Sequence, residues 1–122
     1  MYEAMRDVTE VVVGYFRLMN SFDVEKFYDV FHKEARLYGY RDNAAIVWSA
    51  AEYREILAGR EAPAARGEQP NGDIFSLSLI SDHQAVAVVK VSMSGTRFRD
   101  VLTLFRDADT WRVVSKTFTV EV

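Results

Sequence analysis

The chain has no cysteine, so disulfides, thiolate nucleophiles and cysteine-based metal sites are excluded together. Its two histidines, His32 and His83, lie 51 positions apart, which is no metal-ligand spacing, and no metal is expected. Apolar residues at 49% and charged residues at 27% exclude a disordered or low-complexity chain. Positive charge is not in excess: 15 Lys and Arg stand against 18 Asp and Glu, a net charge of −3. Such a chain lacks the long-range field of a general nucleic-acid binder, and no nucleic-acid partner is expected. No apolar run approaches the roughly 20 residues of a membrane-spanning helix. The opening residues Met1-Tyr2-Glu3-Ala4-Met5-Arg6-Asp7 carry charge at once, without the apolar stretch of a signal peptide. The expectation is a cytoplasmic protein with no membrane partner. There is no Gly-rich phosphate loop, nucleophile elbow or HExxH helix, and no cofactor is expected.

What is present is a globular composition, 49% apolar and 27% charged, long enough for one domain over residues 1–122. Met5, Val8, Val12, Tyr15, Phe16 and Met19 recur at steps of three and four, which predicts a helix over about residues 3–21. Asp23 is a suitable N-cap for a second helix, with Val24, Phe27, Tyr28 and Phe31 on its buried face and an end near His32-Lys33. Residues 35–40 and 44–48 read as short strands. Ser49-Ala50-Ala51-Glu52 is a capping box opening a third helix that closes before Gly59. Residues 60–72 hold both prolines, with Gly67 and Gly72, and form the long loop. Beyond it, β-rich segments at 74–80, 85–93, 97–106 and 111–120 predict an antiparallel meander. Helices followed by a meander indicate an α+β fold.

Alternation along strands allows the hairpin registers to be chained. Pairing Ile80 with Ala85, Met93 with Phe98, and Arg106 with Trp111 puts Ser76, Ser78, Ala87, Val89, Asp100, Leu102, Leu104, Trp111 and Val113 on one face. The other face carries Phe75, Leu77, Leu79, Val88, Lys90, Arg99, Val101, Phe105, Lys116 and Phe118. The first is taken to meet the helices. The second is then a broad apolar patch, of a kind monomers rarely leave bare, and is expected to be a homodimer interface. Lys90, Arg99 and Lys116 fall toward its rim, so Lys116 reads as an interface residue and not as a Schiff-base lysine. A β-bulge in a long strand would invert part of this assignment.

The element order resembles the nuclear transport factor 2-like superfamily, and within it the "putative lumazine-binding" group close to the SnoaL-like proteins. The resemblance is carried by Val12-Val13-Gly14-Tyr15-Phe16, Asp23-Val24-Glu25-Lys26-Phe27 and Phe31-His32-Lys33-Glu34-Ala35. Toward the C-terminus it continues in Phe98-Arg99-Asp100-Val101-Leu102-Thr103-Leu104 and Trp111-Arg112-Val113-Val114-Ser115-Lys116-Thr117-Phe118. It implies a cone-shaped α+β fold, with three helices on a strongly curved mixed or antiparallel sheet around a central cavity. The superfamily holds isomerases, dehydratases, cyclases and members that only bind or dimerise, so function rests on the site.

Asp100 is the sharpest catalytic candidate: strand parity sends it inward among apolar residues, where desolvation raises a carboxyl pKa. Such a group suits proton transfer on a small organic molecule. The alternative is a carboxylate hydrogen-bonded to a tyrosine hydroxyl or paired with an arginine. His32 is the second candidate, a proton-transfer partner for Asp100 or a polar anchor; the alternative is an imidazole serving the end of helix two. Tyr15, Tyr28, Phe31, Tyr38, Trp48, Tyr53 and Phe98 are candidate ligand-binding walls, with ordinary core packing as the alternative for each. The expected partner is a small apolar or aromatic molecule. Three readings follow: a cofactor-independent acid–base enzyme, a non-catalytic ligand binder with a lumazine- or pterin-like guest, and a dimeric interaction domain with a vestigial cavity.

Overall fold

The computed structural model describes residues 2–121. Helix α1 spans Tyr2–Ser21, and Val8, Val12, Tyr15, Phe16 and Met19 are buried along its apolar stripe. Asp23 accepts from the Glu25 N–H and caps a single 3₁₀ turn, Val24–Lys26, which leads into the four-residue helix α2, Phe27–Val30. The chain then becomes strand β1, Phe31–Arg41, followed by β2, Ala44–Ser49. Both halves of the capping box form around Ser49 and Glu52 and start α3, Ala50–Ala58. Four strands complete the chain: β3 (Asp73–Ser81), β4 (Gln84–Met93), β5 (Thr96–Asp107) and β6 (Thr110–Val120).

All six strands join one sheet in the order β2-β1-β6-β5-β4-β3. Every neighbouring pair is antiparallel except β1 with β6, which is parallel, so the sheet is mixed. The helices cover one face, and a single buried cluster runs from α1 through Phe27, Phe31, Tyr53 and Leu57 to Val89, Leu102, Leu104, Trp111 and Val113. The fold class read from the sequence, α+β with helices on a mixed sheet, is the one observed. Among the described residues no helix is long and apolar enough to cross a membrane.

Four local readings are corrected, the first being that Met93 pairs with Thr96 and not Phe98, a shift of two that leaves the faces unchanged. The second helix ends at Val30, because Phe31 already has extended dihedrals and pairs with Val113. Phe31 and His32 therefore belong to a strand. In β3 the partner of Ala85 is Leu79 and not Ile80, since the pairing slips by one between Leu79 and Ser81. That one-residue slip turns Leu77 and Leu79 toward the core and leaves Ile80 exposed. In β6 a bulge intervenes: Leu104 faces Val113 but Thr103 faces Ser115. The extra residue inverts the rest of the strand, so Lys116 and Phe118 point inward and are buried.

The loop over residues 59–72 is tied down at several points. Pro63 is buried at the start of a 3₁₀ turn. The Asn20 amide donates to the Glu68 carbonyl at 3.0 Å, and the Glu68 carboxylate accepts from the Ser94 N–H at 2.9 Å. Asn71 exchanges two hydrogen bonds with the Ser92 backbone, at 2.9 and 2.8 Å, as another strand residue would. Gly72 lies against the Phe16 ring, where no side chain would fit.

Candidate functional site

The fold leaves a pocket of about 250 Å³ at one end of the sheet, smaller than the roughly 300–1,000 Å³ of common ligand sites. Its apolar walls are Ile46 and Trp48 of β2, Met93 of β4, Phe98 of β5 and Phe118 of β6. Tyr53 of α3 and Lys116 of β6 supply polar groups inside, while Arg41, Asp42 and Arg60 add charge from β1, the turn after it and the loop after α3. The Trp48 ring stacks with Tyr53 at 5.5 Å and with Phe118 at 6.1 Å, the planes within 21° of parallel. Phe118 lies over Gly39 of β1, where an added Cβ would come within 2.1 Å of the ring.

Lys116 is only 3% exposed. Its ammonium donates to the Tyr53 hydroxyl at 3.1 Å and to the Met19 sulfur at 3.7 Å, and Tyr53 donates to the same sulfur at 3.4 Å. The rings of Tyr15, Tyr53 and Phe118 stand 4.8 to 5.3 Å from the nitrogen, an arrangement that solvates a cation through the aromatic quadrupoles. Uninterrupted alternation had placed this residue outside; the β6 bulge brings it in.

Asp100 is inward as parity required, and 0% exposed. It lies opposite Val89 on β4 and Phe118 on β6. Its Oδ2 accepts from the Tyr15 hydroxyl, and its Oδ1 is buried with no hydrogen-bond partner. Burial raises its pKa; the nearby Lys116 charge and the Tyr15 hydrogen bond oppose that rise without cancelling it. Burial and the adjacent carboxylate hold the Tyr15 phenol well above its ordinary value, so it stays a donor. Asp100 is not among the residues lining the pocket.

His32 is elsewhere. Its Nδ1 accepts from the Glu34 N–H at 3.0 Å, which leaves the proton on Nε2 to face Asp107 at 3.1 Å. Asp107 is seven residues from Asp100 along β5, roughly 23 Å at strand spacing. The expected partnership of His32 with Asp100 is thus not formed. Of the candidate walls, Trp48, Tyr53 and Phe98 line the pocket. Tyr15 binds Asp100 behind it, and Phe31 is core, stacked on Phe27 at 4.8 Å. Tyr28 and Tyr38 are exposed. Sequence reasoning missed Lys116, Arg41 and Arg60 as pocket residues. Among the described residues no group of three His, Asp or Glu side chains could hold a metal ion.

Helices on a six-stranded mixed sheet, with a pocket at one end, make up a fold shared with nuclear transport factor 2-like proteins. The chain belongs to the family described as "Putative lumazine-binding", whose model matches residues 3–119. It is similar to a nuclear transport factor 2-like protein of unknown function from Silicibacter pomeroyi DSS-3, at 23% identity over 98% of both chains and a TM-score of 0.86. A ketosteroid isomerase-like protein from Erwinia carotovora atroseptica matches 100% of this chain and 99% of its own, with 12% identity and a TM-score of 0.74. A cystatin-like fold protein from Burkholderia xenovorans covers 97% and 92%, with 16% identity and a TM-score of 0.71. At these identities the structures share the fold alone. None of the curated proteins matches the sequence.

Proposed function

We propose that this protein binds one small organic molecule in the pocket between α3 and the sheet. The carrying observation is the convergence of a buried amine, Lys116, and a phenol, Tyr53, on a space walled by Trp48, Phe98 and Phe118. Few polar groups in an apolar enclosure are what orients a guest while burial holds it. The family's description makes a lumazine- or pterin-like ring system one guest to test. A second reading, acid–base catalysis on the bound molecule, draws on Asp100, a buried carboxyl with a raised pKa and one unpartnered oxygen, and requires the guest to reach beyond the present lining to it. Its partner in that reading is Tyr15. The reading includes a cytoplasmic setting, with which the lack of cysteine is compatible.

A fluorescence melting screen of small aromatic and heteroaromatic molecules tests binding, followed by chromatography of each hit for conversion. Hits that raise the melting temperature, and lose that effect when Trp48→Ala opens the wall, support the binding reading. Conversion that falls by two orders of magnitude or more in a folded Asp100→Asn protein supports catalysis. A library without a hit defeats both.

The reading also includes a homodimer through the outer sheet face. Val101 and Phe105 are exposed there, with Val86, Val88 and Val114 half-buried beside them. At the rim, Lys90 and Arg99 each hold Glu121 at 3.1 Å, leaving the middle apolar. Sedimentation at micromolar concentration is expected to give about twice the 14.0 kDa chain mass, and Val101→Glu to return the mass of one chain. A wild-type monomer would remove the dimer.

A further inference from the structure

Lys116 is a cation in an unusual place. Burying an ammonium is costly unless it is paired, and a carboxylate is the usual partner. Among the described residues, no carboxylate pairs with Lys116. The nearest acid, Asp100, spends one oxygen on Tyr15 and leaves the other bare. Of the three donors on the ammonium, one goes to the Tyr53 oxygen and one to a thioether, which is a weak acceptor. Lys116 lines the pocket, and its third donor has no partner among the described residues.

The rest of the pocket repeats the sign. Arg41 stands over the Phe98 ring at 5.4 Å, and Arg60 lines the same space. The one acid in the lining, Asp42, is 92% exposed and sits 4.0 Å from the Arg41 guanidinium. The lining thus holds three cations, the buried Lys116 and the exposed Arg41 and Arg60 at the mouth, against one exposed carboxylate, Asp42, in a chain whose net charge is −3. Trp48, stacked with both Tyr53 and Phe118, makes the apolar lining largely aromatic.

Resting on the reading of this pocket as a ligand site, we infer that it selects a planar aromatic carboxylate, whose charge meets Lys116 and whose ring lies along Trp48 and Phe118. The carboxylate supplies what the protein withholds: a strong acceptor for the free ammonium donor. Arg41 and Arg60 draw the anion in, and a second polar group on its outer edge would meet them. The pocket volume of about 250 Å³ suits a guest of one or two rings.

The test compares benzoate, benzamide and benzylamine, three probes of one size and three charges, by ligand-observed NMR titration of the intact protein. Benzoate is expected to bind at least about tenfold more tightly than benzamide, as a charge-assisted bond to an ammonium should give, and benzylamine not to bind. In Lys116→Met the advantage of benzoate is expected to vanish while benzamide still binds, because Met keeps the length and loses the charge. Equal binding of benzoate and benzamide to the wild type would overturn the anion preference and leave the ligand site standing. A benzoate advantage that survives in Lys116→Met would overturn the assignment of that charge contact to Lys116. Binding of none of the three would remove both. The wild-type ranking decides the matter even if the variant does not fold.

Discussion

Tyr15→Phe is expected to destabilise the fold by roughly 1.5–3 kcal/mol where Asp100 is ionised, and by clearly less in acid. The Tyr15 hydroxyl is the only hydrogen-bond donor to this buried carboxylate among the described residues, and the second oxygen has none. Removing the donor leaves a desolvated anion facing aromatic edges. The sign with pH follows from linkage. Asp100 has a folded-state pKa raised above its ordinary 3.8, so its favourable contribution is complete below that value. It is lost as pH rises through the folded-state pKa. Without Tyr15 that pKa climbs further, and the loss continues to higher pH than in the wild type. Urea unfolding of both proteins from pH 4 upward should show a deficit that widens with pH. A deficit constant across the range would mean that the bond does not stabilise the charged form.

Phe27→Ala is expected to cost about 3–5 kcal/mol, a large share of the stability of a chain this size. Phe27 is fully buried at the start of α2. It stacks on Phe31 at 4.8 Å and meets Tyr28 and Tyr53 edge-on at 5.0 and 6.1 Å. A helix of four residues has almost no stability of its own, so this ring holds it down. The damage should reach the pocket, because Tyr53, which lines it, loses an aromatic neighbour. Chemical denaturation measures the cost. Tyr53 fluorescence or ring NMR signals report the loosening, and unchanged stability would show that α2 is anchored by other contacts.

Much of the architecture was legible because periodicity is strong where one face is buried. The stripe from Val8 to Met19 and the Ser49-Glu52 capping box gave α1 and the start of α3 directly. The inward aim of Asp100 survived a two-residue error in register, Val89 and not Val91 facing it, because an even shift preserves parity. Odd shifts do not. In β3 the apolar residues Leu77 and Leu79 alternate with Ser76 and Ser78, and that alternation marked the true inner face. Chaining from an assumed Ile80–Ala85 pair overrode it. In β6 the apolar phase changes from Trp111 and Val113 to Phe118 and Val120, with Thr117 and Thr119 between, a readable sign of an inserted residue. Lys116 was missed for that reason, and a lysine gives no apolar cue of its own. The His32 placement failed because nothing in Phe27–Phe31 distinguishes one helical turn from a full helix before a strand begins.

Gly39 gives the pocket its depth. Since the Phe118 ring rests directly on β1 backbone, the wall there is one aromatic ring thick, with no side chain beneath as a spacer. A single methyl at that position would jack the ring outward into the hollow and shrink the room available to any guest. Relatives of this fold could thus trade a roomy chamber for a filled one by a one-carbon change on the backbone of β1.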